Sequence, residues 1–241
     1  MSGFLGWAMA YQRAFRARVA GDGLLAVAPA SLAFVLVTLA VSSAWRGPPA
    51  EHRAVAACCA WRATSLTHGA GALVPLLGSA VLVRRPVEAV WTVAAAWLVL
   101  GPLEAAVGSR RLLLLGAFGH AVPTVLVDLC WLGGSRVGGG LDGVDVGTSA
   151  VVVTAAAALA VLTRSPALGA ALAAGLAVDL ATTPDLASVE HVVAVGMGVA
   201  AALLLAPPDR WPRWRSEPAR QLAAALRPQA TPVSHRYPPH G

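Results

Sequence analysis

Six long apolar stretches, nearly free of charge, take up most of the chain and leave few folds open to it. They run near Leu24 to Ser42, Val87 to Ala105, Leu112 to Trp131, Val146 to Leu162, Pro166 to Thr182 and Ala187 to Leu205. Helices of about 17 to 21 apolar residues are long enough to cross a hydrocarbon core of roughly 30 Å. Inside lipid the backbone must satisfy its own hydrogen bonds, which an α-helix does within a single segment. Composition agrees: 57% of the 241 residues are hydrophobic, 12% are charged and the mean hydropathy is +0.66, which excludes an ordinary soluble domain. The expectation is an all-α, polytopic membrane protein with six transmembrane helices. The Leu73 to Val83 stretch is too short to match them and reads as interfacial or re-entrant, with a seventh span as the alternative. The first stretch lacks a small-residue cleavage site followed by a soluble domain, so it is expected to stay in the mature chain.

Arginine sets the orientation, because the chain has no lysine. With both termini inside, the cytoplasmic side holds Arg13, Arg16, Arg18, Arg110, Arg111, Arg164 and the six tail arginines. The outer side holds Arg46, Arg53, Arg62, Arg84, Arg85 and Arg136. That asymmetry favours a multi-pass cell-membrane protein with both ends cytoplasmic. Three regions follow: a basic segment at 1–22 suited to the inner leaflet, or acting only as a topology anchor; a membrane domain at 23–206; and a Pro/Arg-rich tail at 207–241 expected to be mostly disordered. The net charge of +6 lies where topology and anionic lipid require it, so lipids are the expected partner and nucleic acid is not.

Two short polar stretches interrupt this pattern where apolar runs begin: Asp145-Val-Gly-Thr-Ser149 and Glu190-His191. A serine and a histidine at similar depth suggest nucleophilic chemistry, with the imidazole as base. Gly147, Gly196 and Gly198 would allow close helix approach. His120, Thr124 and Asp128 recur every four residues and so share one helix face. With Asp145, Asp179 and Glu190 they predict an acidic, histidine-containing pocket on the outer side. Such carboxylates would either orient His191 or hold it protonated, and a protonated ring is a poor base. A plain interhelical hydrogen bond is the structural alternative for both Ser149 and His191.

In order and spacing, these pieces resemble the rhomboid intramembrane proteases. Gly101-Pro-Leu-Glu104 with Gly108-Ser-Arg-Arg111 is similar to the end of that family's second helix and the turn after it. Gly147-Thr-Ser149-Ala150 is similar to the Gly-x-Ser-Gly that opens its fourth helix, with alanine in place of the last glycine. His191 with Gly196 is similar to its sixth-helix motif, and Thr64-Ser65-Leu66-Thr67-His68-Gly69 to its first-loop segment. The resemblance implies a six-helix rhomboid-like bundle with Ser149 as nucleophile and His191 as base. It implies no third carboxylate and no cofactor, and its substrates would be transmembrane proteins cut near the extracytoplasmic face. The family also carries a histidine and an asparagine that stabilise the oxyanion, whereas this chain has no asparagine. Ala89 and Val93, or Pro75 and Ser79, fall at those positions depending on the alignment. Asp145 to Ser149, His191 and Phe118-Gly-His120-Ala-Val-Pro-Thr124 also resemble the rhomboid-like membrane proteins of high-GC bacteria. That likeness carries the alternative of an inactive protein that binds client membrane helices.

Carboxylates and histidines in a bundle also suit a small proton or metal transporter. No internal repeat relates the first three spans to the last three, as carriers often show. No ligand spacing suggests a metal site. Cys58, Cys59 and Cys130 form no disulfide framework and read as packing residues. The Gly133 to Gly143 loop lacks the features of a phosphate loop and reads as a flexible outer loop beside the site.

Overall fold

The computed structural model describes residues 2–83, 85–132, 147–182 and 185–205. Asp145, Arg84, the Gly133 to Gly143 loop with Arg136, and the tail at 207–241 lie outside the described residues. Among the described residues the protein is helical and has no strand. The helices are α1 (Ser2–Asp22), α2 (Leu24–Val27), α3 (Pro29–Trp45), α4 (Pro49–Cys59), α5 (Leu73–Ser79), α6 (Pro86–Ala95), α7 (Gly101–Val107), α8 (Ser109–Leu132), α9 (Thr148–Leu162), α10 (Pro166–Thr182) and α11 (Leu186–Leu205). A 3-10 stretch, Ala63–Ala72, leads into α5, and a π-helical turn, Ala96–Leu100, joins α6 to α7.

Among the described residues, three helices are long and apolar enough to cross a membrane: Pro86–Val107, Ser109–Cys130 and Leu186–Leu204. Three more apolar helices, Pro29–Trp45, Thr148–Leu162 and Pro166–Thr182, are shorter. The first predicted span is not one helix, because it breaks at Ala28 (φ −146°, ψ 55°). Pro29 explains the break: it lacks an N–H and disfavours helical geometry at the residue before it. The Leu73 to Val83 stretch forms only the seven-residue α5, about 10 Å long at 1.5 Å per residue and far short of a span.

α9 forms the centre of the bundle. Thr148, Ala150, Val151 and the run from Thr154 to Leu159 are buried, packed mainly against α8 and α11. Its alanines let neighbouring backbones come close. A Cβ on Gly198 of α11 would lie 2.2 Å from the Thr154 carbonyl oxygen, so only glycine permits that approach. Gly196, expected to share this role, faces open space instead. The Thr154 hydroxyl ties the three helices together, lying 3.0 Å from the Gly119 carbonyl of α8 and 3.2 Å from the Ala194 carbonyl of α11.

At the other end of the chain, α1 docks on the bundle. Phe15 is fully buried and meets Trp97 edge to face, and Arg18 donates to the Ala105 carbonyl at 3.1 Å. Glu104 is buried at the start of α3, where its carboxylate accepts the N–H of Ala30 at 2.8 Å and both the N–H and hydroxyl of Ser31 at 2.7 Å. It also accepts the Ser109 hydroxyl. An anion here complements the positive end of the helix and satisfies N–H groups that the helix cannot. Glu104→Ala would strand these donors. It is expected to lower the unfolding free energy by about 3 kcal/mol in a detergent–SDS titration, with Glu104→Gln losing less.

Candidate functional site

Ser149 is the second residue of α9, and both residues before it are pinned. The N–H of Gly147 donates to the Ser79 carbonyl at 3.1 Å, and the Thr148 hydroxyl donates to the Leu82 carbonyl at 3.0 Å. Residues 79–82 at the end of α5 thus form a seat for the start of α9. Ala150 and Val151 both donate to the Gly147 carbonyl, so helix geometry leaves the N–H groups of Thr148 and Ser149 without an acceptor inside α9. Ser149 itself is exposed, at the electropositive end of the helix.

His191, in the second turn of α11, reaches this serine: its Nε2 lies 2.8 Å from Ser149 Oγ. The other ring nitrogen, Nδ1, lies 2.8 Å from Asp179 Oδ2, on the next-to-last turn of α10. The His191 side chain is 17% exposed and that of Asp179 35% exposed. Three side chains from three helices therefore form one chain, Ser149–His191–Asp179, at the end of the bundle where α9 and α11 begin and α10 ends. The serine and histidine predicted from sequence are brought together. Asp179 was expected only as part of a diffuse acidic pocket.

Among the described residues the other predicted side chains fall into two groups, His191 with Asp179 and the α8 stripe with Glu190. His120, Thr124 and Asp128 do share a face of α8, and all three are buried. His120 Nε2 lies 2.9 Å from Ser79 Oγ and 2.8 Å from the Leu76 carbonyl. Asp128 accepts the Trp61 indole N–H at 2.7 Å, which ties the stretch before α5 to α8. Glu190 is buried, with its Oε2 3.4 Å from the Thr124 hydroxyl. Neighbouring residues on a helix point about 100° apart, so Glu190 faces α8 while His191 faces α9 and α10. Asp145, the remaining predicted member, lies outside the described residues.

His120 packs behind the start of α9. A Cβ on Gly147 would fall 1.8 Å from His120 Cε1, so the ring packs directly on the glycine two residues before Ser149. His68 is exposed, with Nδ1 3.3 Å from the Ser65 carbonyl of its own turn. Ser79, which falls with Pro75 at the histidine–asparagine positions in one of the two alignments, places its hydroxyl on His120 and on the Leu76 carbonyl. Among the described residues, no three His, Cys, Asp or Glu side chains are placed to hold a metal ion.

The cysteines stand apart from this chemistry. Cys58, Cys59 and Cys130 are free thiols. Burial, and then the neighbouring Cys58, push the Cys59 thiol up to about 12, which leaves it protonated and unreactive. Below the Asp179–His191 contact, α10 stands away from α9 and α11 around an apolar groove of about 560 Å³, lined in part by Ala157, Val161, Gly169, Leu172, Leu176 and Val199. Comparison with known proteins names no relative: no family model, curated protein or solved structure matches the chain.

Proposed function

We propose that this protein is a rhomboid-like intramembrane serine hydrolase that cuts transmembrane proteins near the extracytoplasmic face. In this reading all six apolar helices lie in the membrane and both termini are cytoplasmic. The observation that carries it is the 2.8 Å contact between Ser149 Oγ and His191 Nε2, within the range a base needs to take the serine proton. Ser149 Oγ would bond to the scissile carbonyl carbon as its proton passes to His191 Nε2. Collapse of the tetrahedral intermediate breaks the C–N bond, and His191 returns the proton to the leaving nitrogen. Water then repeats the sequence on the acyl-enzyme, releasing the acid and restoring the serine. The N–H groups of Thr148 and Ser149 are the donors available to the oxyanion, helped by the α9 dipole. The apolar groove beside α10 suits a client helix lying next to the site.

One observation favours a second reading, an inactive protein that binds client helices. The chain has no asparagine, and Ser79 spends its hydroxyl on His120 and Leu76. Losing one oxyanion donor costs on the order of 100-fold to 1000-fold in rate. Labelling of the detergent-purified protein with a fluorescent fluorophosphonate separates the two readings. The hydrolase reading expects labelling that disappears in Ser149→Ala. An unlabelled, folded parent beside a labelled rhomboid protease would sink it and leave the client-binding reading.

A further inference from the structure

We infer that Asp179 is a positioning residue that fixes His191 as the Nδ1–H tautomer and steadies the imidazolium formed when Ser149 gives up its proton. The inference rests on the hydrolase reading above and extends it, since a serine–histidine pair alone needs no carboxylate.

A carboxylate only accepts hydrogen bonds, so the 2.8 Å contact from Asp179 Oδ2 to His191 Nδ1 places the ring proton on Nδ1. In the neutral ring Nε2 then carries a lone pair, and that is the nitrogen 2.8 Å from Ser149 Oγ. The opposite tautomer would set an N–H against the serine hydroxyl and could not take its proton. When Nε2 takes that proton, Nδ1–H stays on the ring and the adjacent carboxylate stabilises the cation. The proton stays on the ring and is not passed to Asp179.

Stability does not account for the pair. Its carboxylate is about one-third exposed, and an ion pair that open contributes little. Asp179 is also the one ionisable residue in α10, an otherwise apolar helix with no buried residue. A lone acid in such a helix is costly unless it has a job, and here it meets the one nitrogen whose protonation decides what His191 can do.

The test uses the full chain in detergent and compares the parent with Asp179→Asn and Asp179→Glu by two readouts. One is the rate of fluorophosphonate labelling. The other is the nitrogen-15 NMR signature of the neutral His191 ring, assigned with His191→Gln. Asparagine can donate to Nδ1 and so favours the wrong tautomer. Asp179→Asn is expected to slow labelling roughly 100-fold to 10,000-fold and move the ring proton to Nε2, while Asp179→Glu recovers at least tenfold of the loss. All three proteins should melt at nearly the same temperature. In a parent that labels, a parental rate in Asp179→Asn or an unchanged tautomer overturns the inference and leaves the hydrolase reading intact. If the parent never labels, the hydrolase reading fails and the tautomer decides alone: inversion in Asp179→Asn keeps Asp179 as the group that orients His191, and no inversion overturns it.

Discussion

Replacing His191 with alanine is expected to slow fluorophosphonate labelling of Ser149 by roughly 1,000-fold to 1,000,000-fold. A serine hydroxyl without a base is a weak nucleophile at neutral pH, and His191 Nε2 at 2.8 Å is the base within reach. The loss should not be additive with that of Asp179. If the carboxylate acts only through the ring, His191→Ala/Asp179→Ala labels no more slowly than His191→Ala, although Asp179→Ala alone is slow. Rates measured by quenching the probe at timed intervals check both statements, with Ser149→Ala as the zero. Labelling in His191→Ala within tenfold of the parent would mean that another group activates the serine.

What could be read in the sequence was the part that depends on position along a helix. Ser149 and His191 stood out because each lies near the start of an apolar stretch, and apolar helices packed side by side bring their starts together. The partner of His191 could not be read that way. The sequence offers Asp128, Asp145, Asp179 and Glu190 near the same level, and Glu190 is adjacent to His191 in the chain. Helix geometry turns that neighbour towards Thr124, whereas Asp179, twelve residues earlier on another helix, faces the ring. Choosing between them requires knowing how α10 is rotated, and α10 has no apolar pattern to reveal it because no face of it is buried. The polar stripe on α8 was visible from its four-residue repeat, yet its partners Ser79 and Trp61 come from distant parts of the chain. The break at Ala28, by contrast, is written into the proline that follows it.

Among the described glycines, Gly147 is where a new Cβ would meet its shortest contact, and the reason is steric. Its φ of −71° and ψ of −1° are open to any residue, so backbone conformation does not demand glycine there. The demand comes from His120, whose ring would lie 1.8 Å from the new methyl carbon in Gly147→Ala. The ring cannot easily yield, since it is fully buried and its Nε2 is held between Ser79 Oγ and the Leu76 carbonyl. The start of α9 must move instead, straining the Gly147 N–H bond to Ser79 and the Thr148 bond to Leu82. Overpacking of this kind costs about 3 kcal/mol, and a shift of roughly 1 Å at Ser149 costs on the order of 100-fold in rate. Gly147→Ala is therefore expected to unfold at lower SDS fraction and to label at least about 100-fold more slowly than the parent. Removing the obstacle tests the cause: in Gly147→Ala/His120→Ala the methyl has space, so the two losses should fall short of additive and labelling should partly return. Strict additivity in that cycle would show that the glycine serves something other than contact with His120.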